Sequence, residues 1–439
     1  MNTTTVAPAA AGQTTVSLAG PKAQRGHHAE GSGGERQHGA RAVLTAPGAW
    51  PLLSTSIIAR LPLAMLSLVL LVHTERVTGS FALAGLVTGS YTVGLGVGAP
   101  VLGRLVDRCG QLAVLVATAF ASSILLGAVA LLPASAPRAV LISLAAGIGL
   151  TTPPVSGCVR ALLPKVLRDA EALPVAYAVE SSALELTFIL GPPLALGVAA
   201  VSSTRAALAC AGLVLMAATA AFATRPASRR WRPPPAAQRP RGGSLRSPAI
   251  RTLVAVLTAV GVLFGATEVG VTAAATRLGS TNSAGLLLGL WGLGSLAGGL
   301  VAARHGGGAH RAAGLAGILA ALALGHAALA VTTTSLMAIG AVLFVAGVAI
   351  APAYATINAM ADRAAPEGTV TEAFAWLSTA VVSGTSAGAA AAGALAQSAG
   401  AGAAFALAGL AGALAVAITM WRWRTVNRQV VTPLGTAIA

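Results

Sequence analysis

"GRLVDRCG", residues 103–110, places two arginines and an aspartate between two long apolar runs, in a chain where only 9% of residues are charged. Soluble domains carry about 25% charged residues, so this composition excludes an ordinary water-soluble fold. The chain has 439 residues, 55% of them hydrophobic, and a mean hydropathy of +0.79. Apolar runs near 20 residues recur along almost its whole length, and each can cross a hydrocarbon core about 30 Å thick. The charged octet is therefore a turn between two membrane spans of an all-helical, polytopic protein.

Spans are predicted at 51–73, 81–102, 112–132, 139–159, 174–199, 204–224, 251–275, 282–303, 312–331, 334–357, 371–396 and 401–421. Twelve spans return both termini to one side. The N-terminal tail, the loops that follow even-numbered spans and the C-terminal tail hold 23 of the 28 Lys and Arg residues. The opposite loops hold four (Arg76, Arg138, Arg205 and Arg277), and Arg60 lies inside the first span. Basic residues stay on the cytoplasmic side, which puts both termini there. Without the long tail and middle loop the ratio is still 11 to four.

Residues 1–48 are polar and are expected to be a disordered cytoplasmic tail, with a second short tail at 425–439. His27, His28 and His38 are too loosely spaced for a metal centre, and no metal or other cofactor is expected. Cys109, Cys158 and Cys210 show neither metal spacing nor a disulfide framework and read as packing residues. The middle stretch "RPASRRWRPPPAAQRPRGGSLRSPAIR" (225–251) carries eight arginines and no acid. Its prolines and glycines preclude a packed domain, so 225–250 reads as a flexible basic linker. The net charge of +16 is spread over tails and short loops between spans, which argues against a nucleic-acid partner.

The linker divides the chain into six-span bundles at 49–224 and 251–424, and the two repeat one another. Shifted by 200 residues, Gly79, Gly85, Gly89, Gly94, Gly98 and Arg104 meet Gly279, Gly285, Gly289, Gly294, Gly298 and Arg304, with Tyr91 opposite Trp291. Many of these glycines are four apart, a spacing that favours close helix packing.

Against this background Gly103, Leu105, Asp107, Arg108 and Gly110 carry meaning. They match the G-x-L-x-D-R-x-G signature of the major facilitator superfamily, at that family's place between spans 2 and 3. Over residues 50–425 the chain resembles that family. The resemblance implies two pseudo-symmetric six-helix bundles, alternating access to a small-molecule substrate, no enzymatic activity and a monomer in the lipid bilayer. It also implies that Asp107 meets the start of span 11 and latches the cytoplasmic gate. There, "GTVTEAF" (368–374) offers Thr369 and Glu372 as a capping box, and a carboxylate at a helix N-terminus is favoured by the macrodipole. The equivalent turn of the second half, "RHGGGAHR" (304–311), has no acid, so the latch is expected on one side only.

Span 5 contains "TFILGPPLALG" (187–197), a partial match to the glycine–proline signature of antiporters in that family, at Gly191 and Pro192. Pro192 and Pro193 remove backbone donors and predict a kink. Ser143 stands where proton-coupled exporters of the family often carry an arginine in span 4, so another charge must couple transport to protons. The intramembrane charges are Arg60, Glu180, Glu185 and Glu268, each costing about 2.5–3.5 kcal/mol at a helix centre. By helical rise Arg60 lies about 13 Å into span 1, Glu180 and Glu185 about 9 and 17 Å into span 5, and Glu268 about 25 Å into span 7. Depth favours Glu185 as the partner of Arg60, with Glu180 as the alternative partner and Glu268 left as a lone, protonatable acid.

Pro153, Pro154, Tyr354 and Asn358 are the expected cavity-lining residues, and His326 is read as a packing residue. Few aromatic or polar side chains remain to bind a sugar. The reading is a twelve-span exporter of small hydrophobic or amphipathic molecules, similar to drug/proton antiporters, in a bacterial cytoplasmic membrane. The alternatives are a sugar or metabolite permease of the same fold and a non-transporting membrane sensor or scaffold. No nucleophile–base pair, metal cluster or phosphate loop suggests an enzyme.

Overall fold

The computed structural model describes residues 1–3, 49–133, 135–167, 172–232, 243–280, 283–305, 309 and 311–428. The expected tail at 4–48, the linker core at 233–242 and residues 429–439 lie outside them, as do the side chains of Glu185 and Pro192. Span 1 is Ala49–Thr78, span 2 Phe81–Cys109, span 3 Gln111–Leu131, and span 4 two pieces, Arg138–Thr151 and Val155–Val166. Span 5 is Leu173–Val201, span 6 Thr204–Ala223, span 7 Pro248–Arg277 and span 8 Ser283–Arg304. Span 9 is Ala312–Ala328, span 10 Leu336–Gly347 with Ile350–Ala364, span 11 Val370–Ala399 and span 12 Ala401–Trp421. Among the described residues eleven helices are long and apolar enough to cross a membrane. The 29-residue helix of span 5 takes the twelfth place.

Local chemistry sets the helix ends. Ser80, Ser203, Ser247 and Ser335 each accept a backbone N–H of the first turn of the helix that follows. Gly110 (φ +95°) both ends span 2 and starts span 3, a backbone conformation that residues with a side chain rarely adopt. The expected kink in span 5 produces no break, because the helix runs through Pro192 and Pro193. The breaks fall in spans 4 and 10 instead. Pro154 lacks the N–H that would bond the Leu150 carbonyl, and Pro352 the one for Val348.

Those freed carbonyls show why the glycines repeat. A Cβ at Gly98 would land on the Leu150 oxygen, and one at Gly298 on the Val348 oxygen. One turn earlier, Gly94 faces the Ala146 carbonyl and Gly294 that of Phe344. In each half span 2 or 8 thus lies against the broken span 4 or 10 with backbone touching backbone. Gly79, Gly85, Gly89, Gly279, Gly285 and Gly289 have nothing within 4 Å, so close packing explains only four of the ten repeated glycines.

In the first half span 1 packs on spans 2, 5 and 6, span 2 on span 4, and span 3 on spans 4 and 6. In the second, span 7 packs on spans 11 and 12, span 8 on span 10, and span 9 on span 12. The halves meet where span 11 lies against spans 2 and 4, and span 5 against spans 8 and 10. One buried cluster joins both halves on the linker side, with Val106, Leu162 and Tyr177 beside Leu253, Ile357 and Phe374. The other two, around Leu66 and around Phe405, belong to one half each and lie toward the far side. The halves are therefore fused on the linker side and separate beyond it.

The linker departs from a uniformly flexible chain at its described ends. Pro226–Arg229 forms a short helix, and the buried Ser228 hydroxyl donates to Gln111 Oε1 at 2.8 Å. Trp231 is tucked beneath Lys165, whose Nζ sits 5.1 Å from the ring centroid.

Candidate functional site: gate and cavity between the halves

The expected turn at 103–110 is helical up to Cys109, and the last turns of span 2 deliver Asp107 to the start of span 11. Its Oδ2 accepts the Glu372 N–H at 2.7 Å and its Oδ1 the Thr371 N–H at 3.3 Å. These are orphan donors of a helix first turn, which the dipole makes a favourable place for a carboxylate. Asp107 is only 3% exposed, so the contact is protected from water. The expected Thr369–Glu372 capping box does not form. The Thr369 hydroxyl donates instead to the Pro366 carbonyl, and Glu372 accepts from Arg104 across the interface at 2.7 Å. A side chain from the other half has replaced the local cap.

The signature's small and charged positions divide the rest of the work. A Cβ at Gly103 would sit 2.9 Å from Ala375 Cβ and 3.0 Å from the Thr371 carbonyl, so the glycine permits span 2 to touch span 11. Leu105 and Arg108 are exposed. Deeper in the interface, Thr379 Oγ1 donates to the Gly96 carbonyl at 2.9 Å. A Cβ at Gly299 of span 8 would strike Ser182 Oγ of span 5. The position opposite Asp107 in the second-half turn lies outside the described residues.

Behind the gate, Arg60 Nη1 donates to Glu180 Oε1 and Arg160 Nε to Glu180 Oε2 at 2.9 Å. Arg60 thus pairs with Glu180, the alternative partner, and not with the favoured Glu185. The reason is Arg160, which sequence reading left among the loop charges just past span 4. The structure buries it at 4% exposed, and one carboxylate at the depth of Glu180 serves both guanidinium groups. Arg160 also lies over the Phe374 ring of span 11, 5.9 Å from its centroid. Tyr177 packs against the same ring at 6.2 Å. The cluster therefore touches the opposite half.

A cavity of about 700 Å³, including the space at its mouth, lies above this cluster. Arg60, Leu63, Leu95, Pro153, Pro154 and Val382 are among its walls, and among the described residues Arg60 is the one charged residue lining it. Pro153 and Pro154 are where they were expected. Tyr354 and Asn358 are not among its lining residues: Tyr354 stacks on Phe264 at 6.3 Å, and Asn358 is 1% exposed. Half a turn of helix rotation separates lining from packing, and spacing along the sequence does not set it.

Glu268 stands on the other side, exposed and without a side-chain partner among the described residues. One turn earlier on span 7, Phe264 meets Trp291 edge-on at 5.2 Å. The Trp291 indole donates to His326 Nε2 at 3.1 Å, and His326 Nδ1 bonds the Leu322 carbonyl, so the histidine is a fully used packing residue. Gly191 presses span 5 onto Ala64 of span 1, while Pro193 is exposed.

Two helical bundles, joined at one end by a capped helix and enclosing a cavity with a buried charge cluster, define a membrane transporter fold. The chain belongs to the Major Facilitator Superfamily, whose family model matches residues 52–371. Solved structures resemble it over nearly their full length. The human organic anion transporter MFSD10 (TETRAN) has 20% identity and a TM-score of 0.62, covering 87% of this chain and 99% of that one. A bacterial homologue of the iron transporter ferroportin, in an outward-facing state, has 18% identity and a TM-score of 0.67, covering 84% and 98%. The proton:xylose symporter XylE has 15% identity and a TM-score of 0.67, covering 86% and 96%. A search of curated proteins finds no match to the sequence.

Proposed function

We propose that this chain exports small hydrophobic or amphipathic molecules in exchange for protons, as a monomer of the drug/proton-antiporter-like kind in a bacterial cytoplasmic membrane. Both termini and the linker face the cytoplasm, by the basic-residue bias. The gate built on Asp107 is then the cytoplasmic one, and this state faces outward. The observation that carries the reading is the cavity wall, apolar apart from a few hydroxyls and Arg60. Such a wall desolvates an apolar body readily and offers a sugar few partners. Glu268, exposed and without a side-chain partner among the described residues, supplies the exchangeable proton.

Inverted membrane vesicles energised with an imposed proton gradient test this. Gradient-dependent accumulation of hydrophobic dyes or antibiotics is expected, and it should collapse when the gradient is dissipated. Movement of sugars alone, or movement indifferent to the gradient, would transfer the protein to the permease reading. No movement of any solute would favour a sensor or scaffold.

A further inference from the structure

The charges behind the gate do not balance. Arg60, Arg160 and Glu180 are 2%, 4% and 0% exposed, and the two guanidinium groups share one carboxylate. Among the described side chains no second carboxylate pairs with either guanidinium, which leaves one positive charge over in a place where an unmatched charge is strongly disfavoured. The neighbouring acids are engaged elsewhere. Asp107 is committed to the backbone of span 11 and Glu372 to Arg104, while Asp362 faces the Tyr177 hydroxyl and forms no ion pair with either guanidinium. Glu268 is not among the residues lining this cavity.

Arg60 is also incompletely used. Its Nε donates to the Ser56 carbonyl, Nη2 to Ser56 Oγ and Nη1 to Glu180, which accounts for three of its five N–H groups. One N–H remains on each terminal nitrogen, and Arg60 lines the cavity. We propose that the cavity takes an amphipathic carboxylate, whose anionic head completes a cluster of two cations and two anions at Arg60. Its apolar body lies against Leu63, Leu95, Leu215 and Val382. A guanidinium matches the two oxygens of a carboxylate, and the apolar wall favours an organic anion over a bare inorganic one. This rests on the export reading and narrows it to organic anions.

The test is equilibrium binding to the purified wild-type protein in lipid nanodiscs, with octanoate, octanol, octyltrimethylammonium and chloride as probes. Octanoate is expected to bind at least ten-fold more tightly than octanol or the ammonium compound, with chloride not competing. Equal binding of octanol, tighter binding of the ammonium, or saturation by chloride that excludes octanoate would each overturn the proposal. Arg160→Met removes the surplus cation while leaving the neutral Arg60–Glu180 pair, and should abolish the octanoate preference; Arg160→Lys should keep it. Retention of the preference in a folded Arg160→Met protein also overturns it. If that variant does not fold, the wild-type selectivity decides. Binding needs no gradient, so octanoate selectivity without proton-driven movement would sink the export reading alone.

Discussion

Asp107 in the first half caps a helix that begins in the second, accepting the backbone N–H groups of both Thr371 and Glu372. A helix cap that belongs to the other bundle ties helix stability to closure of the interface. When the bundles part on this side, span 11 loses its cap and Glu372 loses Arg104 together.

Asp107→Asn should therefore impair transport while leaving protein levels near normal. A charge at a helix N-terminus contributes about 0.3–1 kcal/mol when wet and up to about 2 kcal/mol when partly buried, and the 3% exposure of Asp107 places it toward the upper end. Transport assays at matched expression check this. Unchanged transport would remove the latch from the mechanism.

Gly103→Val should hold the gate ajar, because the added side chain meets Ala375 and the Thr371 carbonyl. The measurement is labelling of a Ser378→Cys reporter, in a background without the native cysteines, by a membrane-impermeant maleimide applied from the linker side. Faster labelling is expected, since Ser378 lines the cavity behind the gate. A rate equal to that of the parent would show that spans 2 and 11 need no close approach.

The buried cluster predicts a ranking. Glu180→Gln leaves two guanidinium groups facing each other without an anion, and losing a buried partner typically costs about 3–5 kcal/mol. Arg60→Met or Arg160→Met leaves one neutral pair and should cost clearly less. Thermal denaturation in detergent orders the three. If Arg60→Met proves the most damaging, Glu180 is not the hub.

Glu268→Gln should insert and fold normally, since its side chain has no partner to lose among the described residues, yet abolish dependence of transport on the proton gradient. Substrate counterflow, which needs no net proton movement, should persist. Gradient-driven transport at the wild-type rate would assign the proton elsewhere.

Reporter fusions after Arg241 should score as cytoplasmic, given a bias of 23 basic residues on that side to four on the other. An extracytoplasmic score would overturn the orientation and, with it, the outward-facing assignment.

Span positions, the six-plus-six repeat and the Asp107 turn were all legible in the sequence. Hydropathy accumulates residue by residue along a helix that satisfies its own backbone, so a span can be recognised before its neighbours are known. Repeated glycines are likewise legible because backbone contact tolerates no side chain, as Gly98 and Gly298 show against Leu150 and Val348. What depends on helix rotation was not legible. Depth placed Arg60 between Glu180 and Glu185, and only packing turned Glu180 toward it and brought Arg160 to the same carboxylate. Rotation likewise set Tyr354 against Phe264, and replaced the Thr369–Glu372 box with a cap from the other half. Sequence alone determined which segments cross the membrane, because burial in lipid is a property of each segment. The tertiary structure decided which charges meet, because that depends on how twelve helices turn and lean against one another.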